Sequence, residues 1–387
     1  MLDYKKLLEN ELVNNINPFW NKMIDLENGG FYGAYTLNDQ IIKDAPKGIV
    51  YLSRILYSYS ELYRHYRQEG YLQNANHAYN FLINYMHDGK YKGFYWSCKY
   101  DGKVLDNRKH LYGQTFALYG LSAYYRVSKS KEALEYAKEI VEIINNNLID
   151  FPQNYHEEYT RDYKPSTNNL LMGYGMVPEI TTNTLLHLAE GLGLYYEVTK
   201  DGLAKNLVNQ LLKIIFDFGF DKENQNLYQF LNYDLKSVID VFSYGHNLEV
   251  SWLFHEIMNQ CEIDNELWAQ YCVELFKKSF NLAYHNGYII NEMVNGKTDR
   301  SAIWWVQAEA LVSLVNMQRI KPNSKYKEAI ISITKFILKH FTNQGLDWHW
   351  GINENLTVQD QHGISEMWKA NYHNVRAILR VLEKRYE

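Results

Sequence analysis

One unit recurs along this chain, and its length forces a stacked or closed helical architecture. Each copy opens with a short Gly- and aromatic-rich stretch that alternates like a strand and ends in a turn. An aromatic-rich helix follows, then a helix with Lys and Glu on one face. The strand-like pieces are GGFYGAYTLNDQII (29–42), GKYKGFYWSCKYDGKVL (89–105), NLYQFLNYDLKSV (226–238), NGYIINEMVNGKT (286–298) and GLDWHWGINENLTV (345–358). The aromatic helices read IVYLSRILYSYSELYRHYR, LYGQTFALYGLSAYYRVS, TNTLLHLAEGLGLYYEVT, GHNLEVSWLFHEIMNQC, WWVQAEALVSLVNMQ and YHNVRAILRVLEKRY. Aligned, they place Arg54, Tyr112, His187, His246, Gln307 and His373 near their N-terminal ends, at a mean spacing of about 64 residues. That length holds two helices and a hairpin, so the chain reads as about six helical hairpins.

Six hairpins can stack as an open solenoid or close into a ring with one helix of each pair inside. Closure requires an inner set that is aromatic and weakly charged. The six helices above are so, beside partners such as SKEALEYAKEIVEIINNN and KYKEAIISITKFILKHF. A ring also points one helix end of every repeat at a shared cavity, where polar side chains gather. The expected fold is all-α, an (α/α)6 barrel with short β-hairpins in the loops at the active-site end. No Pro/Ser-rich linker or long charge run divides the sequence, so residues 1–387 read as one catalytic domain.

Composition narrows the partners. With 40 Lys+Arg against 45 Asp+Glu, the formal net charge of −5 is the wrong sign for a phosphate-backbone binder, and nucleic acid is excluded. No stretch approaches the roughly 20 apolar residues of a membrane span, and MLDYKKLLENELVNN lacks a signal-peptide core, which predicts a cytoplasmic protein. Cys98, Cys261 and Cys272 are odd in number and widely spaced, as reduced core residues are. Aromatic residues make up 15% of the chain, more than a helical core requires, which suggests a cavity that stacks on sugar faces or flat ligands.

Three of the thirteen histidines, His187, His246 and His373, fall at the shared repeat position. Imidazole both takes and returns a proton near neutral pH, and two on opposite sides of a carbon do so from both faces. No HxH or HExxH spacing links them, so no metal is expected. Glu190 and Glu249 stand three residues after His187 and His246, on the same helix face, where they would orient those rings. With Glu309 they are also the carboxylates a glycosidase on such a barrel would need. Arg54 interrupts an apolar helix, where a guanidinium needs an anion and could stabilise a developing oxyanion. Trp304, Trp305 and Trp368 flank the Gln307 and His373 positions and suit the apolar faces of pyranose rings.

On these residues the sequence resembles the N-acylglucosamine 2-epimerase superfamily, most closely its cellobiose 2-epimerase branch. The matching strings are ENGGFYGAYT (27–36), APKGIVYLSRILYSYSELYR (45–64), YGQTFALYGLSAYYR (112–126), NTLLHLAE (183–190), SYGHNLEVSWL (243–253), WWVQAEAL (304–311) and WKANYHNVR (368–376). The resemblance implies an (α/α)6 barrel and a metal-independent, cofactor-free isomerase that inverts C2 of a reducing-end glucose or mannose residue through ring opening and a cis-enediolate. It implies His246 and His373 as paired acid/base catalysts, His187 in ring opening or hydroxyl binding, and Arg54 on the enediolate. Tyr112, Asn183, Glu249 and Glu309 would complete the polar shell, and Trp305 and Trp368 would contact the sugar. Asn247 stands where Asp is usual in the family, Leu185 where a histidine is common, and Val306 and Asn371 where prolines are frequent. The expected partner is a small sugar, disaccharide or monosaccharide. An aldose-ketose isomerase, or a mannose/glucose 2-epimerase, on the same barrel is the alternative. A glycosidase, or a helical-repeat scaffold whose histidines only hydrogen-bond, stands further off.

Overall fold

The computed structural model describes residues 3–383. Helix α1 (Tyr4–Glu11) runs through a π turn into α2 (Asn17–Lys22). Five helical pairs follow: α3 (Ile49–Tyr66) with α4 (Glu69–Phe81), α5 (Leu111–Ser128) with α6 (Lys131–Leu148), α7 (Thr182–Thr199) with α8 (Gly202–Ile214), α9 (Tyr244–Gln260) with α10 (Glu266–Ala283), and α11 (Trp304–Ile320) with α12 (Ser324–His340). Helix α13 (Tyr372–Leu382) is the last among the described residues. The aromatic pattern continues to Tyr386, but 384–386 lie outside the described residues.

The two helix sets differ because their apolar residues are distributed differently. Every residue of α3 from Ile49 to Leu62 is buried, as befits a helix enclosed on all sides. In α6 burial is confined to one stripe, Ala133, Ala137, Ile140, Val141, Ile144 and Leu148, and the other face meets solvent. The inner helices pack in the order α3, α5, α7, α9, α11, α13 and back to α3, each even-numbered helix from α4 to α12 covering the inner helix before it. This is the (α/α)6 ring.

Contiguous hairpins account for only five of the six pairs. The outer neighbour of α13 is α1, which packs on α12 and α13. The sixth pair is thus assembled from opposite ends of the described chain, and the reading of six sequential hairpins is corrected to five plus one split pair. Arg64 of α3 reaches Glu383 beyond α13 at 2.8 Å across the same seam.

A collar of short antiparallel ladders closes with the helices. The strand entering one inner helix pairs with the next repeat: Lys47–Gly48 with Ser97–Cys98, Lys109–His110 with Glu158–Tyr159, Ile180–Thr181 with Phe230–Leu231, Val241–Ser243 with Glu292–Val294, and Ala302–Ile303 with Gly351–Ile352. A bridge from Tyr35 to Ser365 completes the circle. One member went unread in the sequence: the turn EYTRDYKPS between α6 and α7, where Tyr163 rather than glycine takes the left-handed conformation at φ 61°. The three cysteines are buried and free.

Three of the hairpins are held to their helices by a side-chain amide at the fourth helical position. Gln114 donates to Phe94 O at 2.7 Å and accepts from Phe94 N at 2.8 Å, and Gln307 does the same with Ile289 at 2.7 and 2.9 Å. Asn247 accepts from Leu227 N at 3.0 Å. A carboxamide carries one acceptor and two donors, so it substitutes for a missing ladder partner. Asn247 performs this structural task.

Candidate active site

The N-terminal ends of the inner helices surround a cavity of about 210 Å³ lined by Arg54, Tyr112, Asn183, His187, His246, Glu249, Trp304, Trp305, Trp368 and His373. These side chains do not form the single in-phase rank that the alignment suggested. Tyr112, Asn183, Trp305 and His373 are second in their helices; Arg54, His187 and Glu249 are sixth, one turn deeper on the same face. Gln307 belongs to neither rank, being committed to the Ile289 backbone. Glu309 is also sixth in its helix yet lies behind His373 rather than on the cavity wall.

The three imidazoles are anchored in two ways. His187 Nδ1 lies 2.7 Å from Glu190 Oε2, and His373 Nδ1 lies 2.7 Å from Glu309 Oε1. An ionised carboxylate only accepts, so each of these rings carries its proton on Nδ1 and leaves Nε2 as a base. His246 Nδ1 instead meets the Ser243 hydroxyl at 2.8 Å, and either atom can donate. The expectation that Glu249 orients His246 is therefore corrected. Its Oε1 turns away and accepts from Arg376 Nη2 at 2.6 Å, because the buried guanidinium is a charged donor.

Arg376 gathers three carboxyls. Nη2 also donates to Glu309 Oε1 at 2.7 Å, and Nη1 donates to Glu190 Oε1 and to the Tyr372 hydroxyl. Burial opposes ionisation of Glu190 and Glu309, but the Arg376 charge and the histidine bonds outweigh it and hold both carboxyls below the usual range. Glu249 moves the other way: burial and the nearby Glu309 charge push it up, so this carboxyl keeps its proton. Burial lowers His246 to about 4 and His373 to about 3, and lowers His187 as well, so all three are neutral at pH 7.

Arg54 is placed to receive negative charge. Nη1 donates to Trp368 O at 2.8 Å and Nη2 to the Tyr112 hydroxyl at 3.0 Å, both neutral groups, and Nε is buried with no partner. The guanidinium lies over the Phe116 ring at 4.4 Å. The Trp305 indole packs on His246 with ring centroids 4.8 Å apart and on His373 at 5.8 Å. Gly245 permits this approach: a Cβ there would stand 2.4 Å from the Trp305 ring and 2.8 Å from Val306.

Oxygen atoms of Glu249 and Glu309 and a nitrogen of His373 lie within 4.8 Å of one another, close enough for a metal ion. The residues do not suit one, because the Arg376 guanidinium already bridges both carboxyls. Among the described residues no helix is long and apolar enough to cross a membrane.

Comparison with known proteins identifies relatives of the chain and of its fold. The profile of the N-acylglucosamine 2-epimerase (GlcNAc 2-epimerase) family matches residues 30–377. A cellobiose 2-epimerase of Dictyoglomus turgidum is 34% identical over 98% of this chain and 99% of its own length. One from Eubacterium cellulosolvens is 35% identical over 97% and 98%. The solved structure of cellobiose 2-epimerase from Bacillus thermoamylovorans superposes with a TM-score of 0.95 at 34% identity, covering 98% of this chain and 99% of that one. A D-mannose isomerase structure, at 18% identity and a TM-score of 0.85, shares the fold.

Proposed function

The chain belongs to the N-acylglucosamine 2-epimerase family and is a sugar isomerase of the cellobiose 2-epimerase kind, and from that premise we propose that it inverts C2 of the reducing-end glucose or mannose residue of a β-1,4-linked disaccharide, using His246 and His373 as the two proton-transfer groups. The observation that carries this reading is their convergence: two imidazoles from different helices pack on the same Trp305 ring and face one small cavity.

The ionisation pattern supports a balanced proton cycle. Ring opening needs a proton at the ring oxygen and removal of the anomeric hydroxyl proton. Glu249, the carboxyl that keeps its proton, supplies the first, while one imidazole takes the second and becomes imidazolium. His187, beside Tyr112, holds the sugar hydroxyls during opening. The other imidazole then removes the C2 proton, and the electron pair spreads over C2, C1 and O1 as an enediolate. Arg54 balances that charge with a guanidinium not committed to any carboxylate. Rotation about C2–C3 presents the opposite face to the imidazolium, which returns a proton to C2. On ring closure the remaining imidazolium protonates O1 and the ring-oxygen proton goes back to Glu249, so every group ends as it began.

Incubation with cellobiose in heavy water tests the proposal. Deuterium at C2 of a mannose-ended product is the expected result. Ketose as the sole product would replace it with aldose-ketose isomerisation, which uses the same enediolate but returns the proton to C1. Release of free glucose would indicate a glycosidase, a role poorly served by Glu190, Glu249 and Glu309 while all three are bound to Arg376.

A further inference from the structure

We infer that Arg376 is a positioning residue for His187 and His373 together, acting through Glu190 and Glu309 without touching the sugar; the inference rests on the epimerase reading only for its kinetic consequence. The side chain is 1% exposed and does not line the cavity. Its two Nη groups point to different carboxylates, Nη1 to Glu190 and Nη2 to Glu309, and each carboxylate bonds the Nδ1 of one imidazole. A guanidinium is planar, so its fork fixes the angle between the two carboxylates, and through them the tilt of two rings carried by α7 and α13.

The surroundings hold that plane. Arg376 lies 4.3 Å from the Tyr372 ring centroid and 4.9 Å from that of Trp252, and Tyr372 donates to the same Glu190 oxygen at 2.8 Å. Nε is buried with no partner. The side chain thus leaves one donor unsatisfied while both ends of the fork meet carboxylates, an arrangement poorly explained by stability alone, since buried ion clusters seldom outperform apolar packing. His246, on Ser243, has no direct bond to this cluster and serves as an internal control.

The test uses the full chain with ¹⁵N-labelled histidine, reading tautomer and titration of each ring by NMR, beside cellobiose kinetics. In the unaltered protein His187 and His373 should be Nδ1–H tautomers. Arg376→Lys keeps the charge and loses the fork. It should turn both rings into tautomer mixtures and leave His246 as it was, with kcat down about 10²-fold and KM within about threefold. Glu190→Gln should disturb His187 alone and Glu309→Gln His373 alone; these two variants carry the test if Arg376→Lys does not fold. A folded Arg376→Lys in which both rings match the unaltered protein, or in which His246 shifts equally, overturns the inference, as does silence of both rings in the glutamine variants. The NMR arm needs no turnover, so failure to epimerise cellobiose would remove the proposed function and leave this inference standing.

Discussion

The cavity holds the imidazoles of His373 and His246 by unlike means. On one wall His373 is tied to an ionised carboxylate, which is tied in turn to a buried guanidinium that also serves His187. On the other wall His246 rests against a neutral hydroxyl and the face of Trp305. The first wall fixes one tautomer and holds the ring rigidly; the second leaves the tautomer free to exchange. A reaction that runs in both directions across one carbon needs two proton carriers, but they need not be equally constrained. Under the proposed two-base scheme His373 would work from a preset orientation, while His246 would adapt as the sugar rotates.

The most severe way to break the comparison is to remove either ring. His246→Ala and His373→Ala should each lower kcat at least about 10³-fold with the fold retained by circular dichroism. Unchanged epimerisation in either would end the two-base scheme. The partners discriminate further: Glu309→Gln should cost about 10²-fold in kcat, whereas Ser243→Ala should cost under about tenfold. Equal losses would mean that the walls are equivalent. Gly245→Ala would push the Trp305 ring aside, raising KM for cellobiose by about tenfold more than it changes kcat, and steady-state kinetics would detect an unaltered KM as the contrary result.

The smallest expected effect is on the acid side of the pH profile. Both rings are depressed, His246 to about 4 and His373 to about 3, so they stay neutral until pH approaches those values. The quantity kcat/KM should therefore change less than about twofold between pH 7 and pH 5. A fall centred near the ordinary imidazole value would show that one wall does not keep its ring neutral. On the alkaline side the sign reverses for Glu249: its raised carboxyl loses the proton as pH climbs, and activity declines with it.

Much of the cavity lining was readable because it sits at fixed positions of repeated helices. Arg54 and His187, or Tyr112 and His373, are found by asking which polar groups interrupt aromatic helices near their starts. Glu190 was readable as the partner of His187 for the same reason, since three residues on a helix share a face. The partners of His246 and His373 were not. Ser243 precedes its helix, so no helical spacing points to it, and Glu309 reaches His373 from a neighbouring helix. Arg376 stood within the string YHNVR without a role, since its carboxylates come from α7, α9 and α11. The hairpin around Tyr163 was missed because its turn lacks the glycine or Asn-Gly that usually marks one.

Local pattern alone determined that this chain makes paired helices, which member of each pair faces inward, and which ends carry polar groups, because apolar periodicity and turn chemistry act over a few residues. Only the tertiary structure decided that α13 pairs with α1, that Glu249 serves Arg376 rather than His246, and that one guanidinium joins two imidazoles. Those choices depend on where a buried charge finds its counter-charge. In a closed ring that partner is set by which helices become neighbours, not by which residues are near in sequence.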